Sequence, residues 1–149
     1  MKFQRQKAQD VFKEMIPLLE AHWQEIAHYK DIPLDPDFDA YFRAEDAGML
    51  RVFTARDEND VLIGYAVFLI RFNIHYKSSK QALQDVIYID KERRGFGAKF
   101  ILWCDNQLRD EGVQISCHHL KAAHNFGPML ERFGYVLQDL IYTRRLDQT

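Results

Sequence analysis

The chain has 149 residues, of which 47% are hydrophobic and 28% are charged, and its formal net charge at pH 7 is −2. A chain of this length and composition is expected to form one domain, residues 1–149, around one core. The charge argues against a nucleic-acid polycation, and no apolar run approaches the roughly 20 residues that a membrane helix needs. The N-terminus lacks the apolar core of a signal peptide, so we expect a soluble, cytoplasmic protein without a membrane partner.

Hydrophobic periodicity predicts two helices and then two strands in the first half of the chain. Residues 8–29 carry apolar side chains at three-and-four spacing, and residues 36–47 form a shorter helix. Pro17 is expected to kink or restart the first helix. Residues 49–57 and 61–72 have the composition of strands, and the short polar corner between them favours a hairpin.

The second half of the chain predicts three strands and two helices. Residues 81–90 form an apolar-rich strand, and a helix follows within 95–112. A strand at 113–120, a short helix at 124–133 and a closing strand at 135–146 complete the order. This order predicts an α/β domain with a mixed sheet.

The stretch KERRGFGAKF, residues 91–100, places two of the 7 glycines where a predicted strand turns into a predicted helix. Backbone N–H groups at a helix start have no partner within the helix and lie at the positive end of its dipole. Glycines let a ligand approach them closely, which is typical of phosphate binding. A tight turn with close helix packing is the structural alternative. The pattern is neither a dinucleotide fingerprint nor a Walker loop.

Two motifs resemble those of the GNAT superfamily of acyl-CoA-dependent N-acyltransferases. Residues 92–97, ERRGFG, are similar to the family's phosphate signature Q/R-x-x-G-x-G/A, which precedes an apolar helix. Asn125, ahead of a short helix and a glycine-aromatic pair, resembles a second family feature. Two positions depart from the pattern. Glu92 stands where Gln or Arg is usual, and Leu130 stands where many members carry a tyrosine thought to protonate the leaving thiolate.

The resemblance implies an α+β type of α/β fold, with a GNAT-like mixed, mostly antiparallel central sheet flanked by helices, and acetyl-CoA as cosubstrate. Acetyl-CoA would lie in a V-shaped gap between the strands at 81–90 and 113–120, with its pantetheine arm paired like a further strand. Asn125 either contacts this arm or caps the helix that follows it. The implied cofactor-binding residues are Ile87, Tyr88, Ile89, Arg93, Arg94, Gly95, Phe96, Gly97, Ala98 and Asn125.

Acetyl transfer to an amine needs a neutral nucleophile, a donor for the oxyanion and a way to release the thiolate. Asp85 is the candidate general base, because strand alternation predicts that its side chain shares a face with those of Ile87 and Ile89. The backbone N–H near Tyr88 would polarise the thioester carbonyl. A turn-flanking aspartate and a half-buried strand tyrosine are the structural alternatives for these two catalytic candidates. The alternative bases are His118, His119 and Glu25.

The acceptor side falls on the segments with the least regular pattern. Glu25 and His28 lie one turn apart near the end of the first helix, where an acidic group suits a cationic amine, although a solvated helix face is the structural alternative. Tyr76 lies in a loop that could close over the acceptor. We take Glu25, His28 and Tyr76 as substrate-binding candidates. No histidine spacing suits a metal ion, so no metal is expected.

The resemblance to the GNAT superfamily implies an N-acetyltransferase that moves acetyl from acetyl-CoA directly to a primary amine of a small molecule or protein. No cysteine is placed to form an acyl-enzyme. The alternative is a non-catalytic GNAT-fold module that binds acyl-CoA or a protein partner, which Glu92 and Leu130 favour. Nucleic-acid binding is a weaker alternative that rests on a local patch around Arg93 and Arg94. The sequence leaves open whether the protein forms a homodimer, and no pattern in it identifies the acceptor.

Overall fold

The computed structural model describes residues 1–148, which form a five-stranded sheet with helices on both faces. The strands are β1 (Lys2–Gln6), β2 (Leu50–Arg56), β3 (Leu62–Phe72), β4 (Lys80–Ile89) and β5 (Ile115–Cys117). The helices are α1 (Ala8–Ile26), α2 (Phe38–Asp46), α3 (Gly97–Asp110) and α4 (Gly127–Arg132). Short 3-10 turns lie at Lys91–Arg93 and Ala122–His124.

The sheet is mixed and mostly antiparallel, as expected. Its strand order is β1-β2-β3-β4-β5, and the first four strands pair antiparallel to one another. β5 returns parallel to β4 after the crossover through α3. β2 and β3 form the predicted hairpin.

Two hydrophobic clusters hold the helices to the two faces of the sheet. On one face α3 packs over a cluster that includes Phe53, Phe68 and Phe100, all fully buried. On the other face α1 and α2 pack over a cluster that includes Val11 and Tyr65. Because both faces are covered, every residue of β2 is buried.

The helix predictions are confirmed with small changes at the ends. α1 continues through Pro17, so the predicted restart of this helix does not occur. α2 begins after Asp37, whose carboxylate caps the helix by accepting a hydrogen bond from the Ala40 N–H at 2.9 Å. Among the described residues, no helix is long and apolar enough to cross a membrane.

The closing strand predicted at 135–146 is wrong. No strand is formed there, and large apolar side chains project into solvent: Val136 is 80% exposed, Leu140 70% and Tyr142 89%. A strand needs a neighbouring strand for its backbone groups. The predicted strand at 113–120 shrinks to the three residues of β5, and within residues 1–148 no strand lies on its outer side.

Candidate functional site

The sheet opens between β4 and β5. The two strands pair only at Gln81, Ala82 and Leu83 of β4, although β4 continues to Ile89. In the described part of the chain, the β4 edge beyond Leu83 therefore faces no strand. This open edge lies where the resemblance placed the gap for a pantetheine arm.

Alternation along β4 decides which backbone groups face this gap. The Asp90 N–H donates to the Ile63 carbonyl at 2.9 Å, so Asp90 is turned toward β3, and Tyr88, two residues earlier, is turned the same way. Ile87 and Ile89 are turned toward the gap, and the Ile89 carbonyl accepts from Arg94 Nε at 3.3 Å. The N–H of Tyr88 itself lies in the β3 ladder, so it cannot be the donor that was predicted near Tyr88. The N–H of Ile87 is available instead.

The glycine stretch forms the start of α3. Gly95 has φ +124°, a conformation that favours glycine, and α3 begins at Gly97 without a side-chain cap. A Cβ on Gly97 would lie 3.2 Å from Cδ1 of Ile89, so helix and strand approach closely there. The first turn, which includes Ala98, therefore offers backbone N–H groups that no capping side chain occupies.

The two arginines of this loop contact carboxylates of the protein. Arg94 donates two hydrogen bonds from Nη2 to the carboxylate oxygens of Glu25, at 2.7 and 2.8 Å. Arg93 Nη2 lies 3.3 Å from Asp57 Oδ2. Burial opposes ionisation of Glu25, but the hydrogen bonds and charge of Arg94 bring its pKa below the usual value. Glu25 thus holds α1 to the loop and does not line the cavity between α1, α2 and the sheet.

Phe96, a predicted cofactor-binding residue, turns its side chain into the core. It is 6% exposed, and its ring lies 6.0 Å from that of Phe3 and 6.4 Å from that of Phe100, centre to centre. Only the backbone of Phe96 is free to contact a ligand. The reason is packing, because an aromatic ring at this position anchors the loop to the α3 side of the sheet.

Asp85 occupies a β-bulge. Its neighbours Gln84 and Val86 pair with consecutive residues of β3, so Asp85 is the extra residue on β4. The bulge shifts the alternation of side chains by one position. Ile87 and Ile89 pack on the α3 side, whereas Asp85 accepts a hydrogen bond from the Tyr41 hydroxyl on the α2 side. The predicted common face of Asp85, Ile87 and Ile89 is therefore wrong, because sequence alternation does not reveal a bulge.

Tyr41 was missed by the sequence analysis. Burial and the hydrogen bond to Asp85 raise the pKa of Tyr41 above its ordinary value, so its hydroxyl stays protonated and donates to the carboxylate. The only sign of Tyr41 in the sequence was its position on an amphipathic helix, which predicts packing and not a contact with Asp85. A partner 44 residues away in the chain is not visible in such periodicity.

A cavity of about 510 Å³ lies between α1, α2, the loop that joins them and the sheet. Its lining includes Trp23 and His28 from the α1 region, Tyr41 from α2 and Val86 from β4. It therefore extends from the predicted acceptor side to the bulge. Tyr76, 68% exposed, lies in the β3–β4 loop, at the other end of β4 from the glycine stretch, and does not line this cavity.

His22 is a second residue that sequence reasoning did not select. Its ring stacks on that of Tyr88 with centres 4.8 Å apart, and its Nδ1 lies 3.4 Å from the Tyr65 hydroxyl. Burial lowers the pKa of His22 to about 4, so the imidazole is neutral near pH 7. Burial, followed by the charge of Glu25, raises the pKa of Tyr88. The stacked His22 and Tyr88 rings therefore join α1 to β4 without a net charge.

His118 joins β4 to β5 where the sheet opens. Its Nδ1 lies 2.8 Å from Gln84 Oε1, an acceptor, so this nitrogen carries the proton. Burial, with a smaller effect of His119, lowers the pKa of His118 to about 4. His118 is therefore a neutral structural bridge. Among residues 1–148, no group of three or more His, Cys, Asp or Glu side chains is arranged to hold a metal ion.

Asn125 contacts the start of α4 but lies one residue before the N-cap, Phe126, which makes no side-chain cap. Its Oδ1 accepts from the Gly127 N–H at 2.8 Å, directly at the start of α4. A Cβ on Gly127 would lie 2.8 Å from the same oxygen, which explains glycine there. Leu130, where the family often has tyrosine, is 5% exposed and packs inward.

Solved structures share this fold over nearly the whole chain. An aminoglycoside acetyltransferase from an uncultured soil metagenomic sample, in complex with sisomicin, has a TM-score of 0.72 at 18% identity, covering 97% of this chain and 95% of that one. Ribosomal-protein-alanine N-acetyltransferase from Brucella melitensis biovar Abortus 2308 has a TM-score of 0.71 at 17% identity, covering 98% and 100%.

A predicted acetyltransferase from Clostridium acetobutylicum, solved with acetyl-CoA, has a TM-score of 0.66 at 14% identity, covering 97% of this chain and 96% of that one. No family model matches the sequence, and no curated protein matches it. The chain therefore has the fold of GNAT-type acetyltransferases, as its motifs implied.

Proposed function

We propose that this protein is an N-acetyltransferase that moves the acetyl group of acetyl-CoA to a primary amine in a ternary complex. The observation that carries the proposal is the open edge of β4, which leads into the uncapped start of α3. The likeness to acetyltransferases, one of them solved with acetyl-CoA, supports the same function. We expect the enzyme to act in the cytoplasm.

The residues at the gap fit acetyl-CoA. The N–H of Ile87 and the backbone of Ile89 face the gap, where they are available to the amides of the pantetheine arm. The first-turn N–H groups of α3, from Gly97 onward, suit the pyrophosphate. Gly95 allows the loop to turn with φ +124°. Arg93 and Arg94 also lie in this loop, where they pair with Asp57 and Glu25.

The proposed chemistry places the acceptor amine on the other side of β4, next to Asp85. The amine nitrogen attacks the acetyl carbon of acetyl-CoA. As the new C–N bond forms, the C–S bond breaks, and CoA leaves as a thiolate that solvent protonates. Asp85 accepts the proton that the amine loses, and Tyr41 holds this carboxylate in place. The Ile87 N–H is the donor available to the acetyl oxygen. Leu130 supplies no acid, which is why the thiolate proton comes from solvent.

A second candidate function is binding of acyl-CoA or a protein partner without turnover. The observation that favours it is Leu130, because a buried leucine replaces the acid that many GNAT enzymes carry. The two candidates share the cofactor site and differ in the acceptor chemistry.

An assay of CoA release with acetyl-CoA and a panel of amines separates the two candidates. The panel includes an arylalkylamine, a polyamine, an aminoglycoside, amino acids and basic peptides. The enzyme proposal predicts amine-dependent CoA release and an acetylated product in the mass spectrum. Binding of acetyl-CoA without release for any amine supports the non-catalytic candidate, and absence of both binding and release contradicts both.

A further inference from the structure

The cavity between α1, α2 and the sheet carries information about the acceptor. Its volume of about 510 Å³ lies in the ordinary range for small-molecule sites. Its walls come from the apolar face of α1, from α2 and from the prolines and aliphatic residues of the α1–α2 loop. The cavity is thus built from side chains that suit an apolar ligand.

Aromatic rings dominate one wall of this cavity. Phe12 lies 5.2 Å from Phe38 and 5.1 Å from Phe42, centre to centre, and all three rings line the cavity together with Trp23. All four side chains are only half-buried, so their faces are available to a ligand. Rings in this arrangement favour stacked and edge contacts with an aromatic or flat apolar group.

Carboxylates are scarce around the same cavity. Of the described residues that line it, within 1–148, only Asp35 carries a carboxylate, and the lining also includes the cationic Lys121. One further carboxylate, that of Asp85, lies behind the lining and accepts a hydrogen bond from Tyr41, which lines the cavity. An acceptor with several ammonium groups would leave most of them without a partner, which carries a large desolvation cost.

We infer that the acceptor is a monoamine whose primary amino group is carried on an apolar, aromatic-sized body. The body occupies the space beside Phe12, Phe38 and Phe42, and the amino group points past Tyr41 toward Asp85 and the bulge. This inference rests on the proposed acetyltransferase function and names its substrate class. It separates this protein from its structural neighbour in complex with sisomicin.

The first test compares acceptors in the acetyl-transfer assay at saturating acetyl-CoA. The acceptors are 2-phenylethylamine, ethylamine, spermidine and sisomicin. Burial of the phenyl ring is expected to raise kcat/KM for 2-phenylethylamine by about tenfold or more over ethylamine. The same margin is expected over spermidine and sisomicin. Equal or higher kcat/KM with either polycation overturns the inference while leaving the acetyltransferase function intact.

The second test measures binding without chemistry. Trimethyl(2-phenylethyl)ammonium has the ring and the positive charge but no N–H, so it accepts no acetyl group. Calorimetry is expected to detect its binding, with tetramethylammonium, which lacks the ring, binding about tenfold more weakly. Binding of the ring compound, together with no acetyl transfer to any amine in the first test, would contradict the enzyme proposal and support the cavity assignment. Equal binding of both cations overturns the cavity assignment.

The third test changes the cavity wall. Phe38→Ala removes one ring and is expected to raise KM for 2-phenylethylamine by about tenfold, with kcat and the kinetics of ethylamine changed much less. Phe72→Ala is the matched control, because Phe72 is 59% exposed at the end of β3 and does not line the cavity. Should Phe38→Ala unfold, Phe38→Leu keeps an apolar side chain and removes only the ring. Unchanged KM in a folded Phe38 variant overturns the inference.

Discussion

Asp85 owes its orientation to the extra residue in β4. Without the bulge, its side chain would lie on the α3 side with Ile87 and Ile89, far from an acceptor. With the bulge, the carboxylate meets Tyr41 at the edge of the acceptor cavity. Backbone irregularities of this kind re-aim single side chains and are frequent beside active sites.

Asp85→Asn keeps the shape of the side chain and removes its basicity. We expect acetyl-CoA affinity to survive, while turnover near pH 7 falls by roughly a hundredfold, the usual contribution of a general base. Turnover should recover in part at alkaline pH, where free amine is more abundant. The measurement is the pH profile of kcat/KM, with Asp110→Asn, an exposed aspartate at the end of α3, as the control. A wild-type profile for Asp85→Asn would remove Asp85 from the reaction.

Asn125 is expected to stabilise the protein through the hydrogen bond that it accepts from the Gly127 N–H. Asn125→Ala removes the acceptor of the Gly127 N–H and should lower the free energy of unfolding by about 1 kcal/mol, with little change in acetyl-CoA affinity. Asn125→Asp keeps a side-chain oxygen and should retain most of this stability. Urea unfolding and calorimetry measure the two effects. A weaker affinity at unchanged stability would instead favour a contact between Asn125 and the pantetheine arm.

At the scale of elements, the connection between β4 and β5 depends on a neutral histidine. The folded pKa of His118 is about 4, below its ordinary value of 6.5, so the unfolded chain binds a proton more readily than the folded one. The contribution of the neutral His118 imidazole to the free energy of unfolding is complete above about pH 6.5. It is lost as pH falls toward 4, by at most about 1.4 kcal/mol per pH unit. His22 acts in the same direction and in the same window.

His118→Phe is expected to flatten this dependence. Phenylalanine suits the aromatic neighbours Phe68, Phe126 and Tyr135 but carries no titrating group. Urea unfolding near pH 7 and near pH 5 should show a smaller difference in stability for the variant than for the wild type. Identical pH dependence in the two proteins would mean that the His118 imidazole is protonated as easily in the folded state as in the unfolded one.

Elements with strong periodicity were predictable from the sequence, and their irregularities were not. α1, α3 and the β2–β3 hairpin follow from apolar spacing. The β4 bulge could not be predicted in this way, because nothing in the sequence marks Asp85 as an extra residue in the strand. The closing strand failed because alternation predicts the shape of a strand and not the presence of a partner for it.

The cofactor side of the site was more accessible to sequence reasoning than the acceptor side. A glycine with positive φ followed by a helix start leaves a local pattern, and Gly95 and Gly97 carry it. The acceptor cavity is assembled from α1, α2, the loop between them and three strands, so its residues are close only after folding. Tyr41 and Asp85, which join the two sides, belong to this group.

At the scale of the whole molecule, the C-terminal segment (residues 135–148) exposes a large apolar surface. Leu137 is 77% exposed and Leu146 86%. The segment contacts the loop between α1 and α2, since Thr143 Oγ1 lies 3.1 Å from the Tyr29 hydroxyl and Arg145 binds Asp31. Exposed apolar side chains gathered in one segment make it a candidate interaction site.

We expect this surface to be covered by a second copy of the chain. Light scattering over a wide range of protein concentration should show a homodimer, and a Leu140→Lys, Tyr142→Lys double variant should shift it to monomer. Ile74→Lys is the control, because Ile74 is 98% exposed in the β3–β4 loop, outside the segment. A wild-type protein that is monomeric at every concentration contradicts this expectation.

The assignment of the start of α3 to acetyl-CoA is tested most directly by titration calorimetry with acetyl-CoA on three proteins. Gly97→Asp places a negative charge where the pyrophosphate is expected, although an aspartate suits a helix start and should leave the fold intact. Gly97→Ala adds a Cβ without charge, 3.2 Å from the movable tip of Ile89. We expect the wild type to bind, Gly97→Ala to bind somewhat more weakly, and Gly97→Asp to lose about a hundredfold or more in affinity. Unchanged affinity in a folded Gly97→Asp variant would contradict the assignment of this loop to acetyl-CoA.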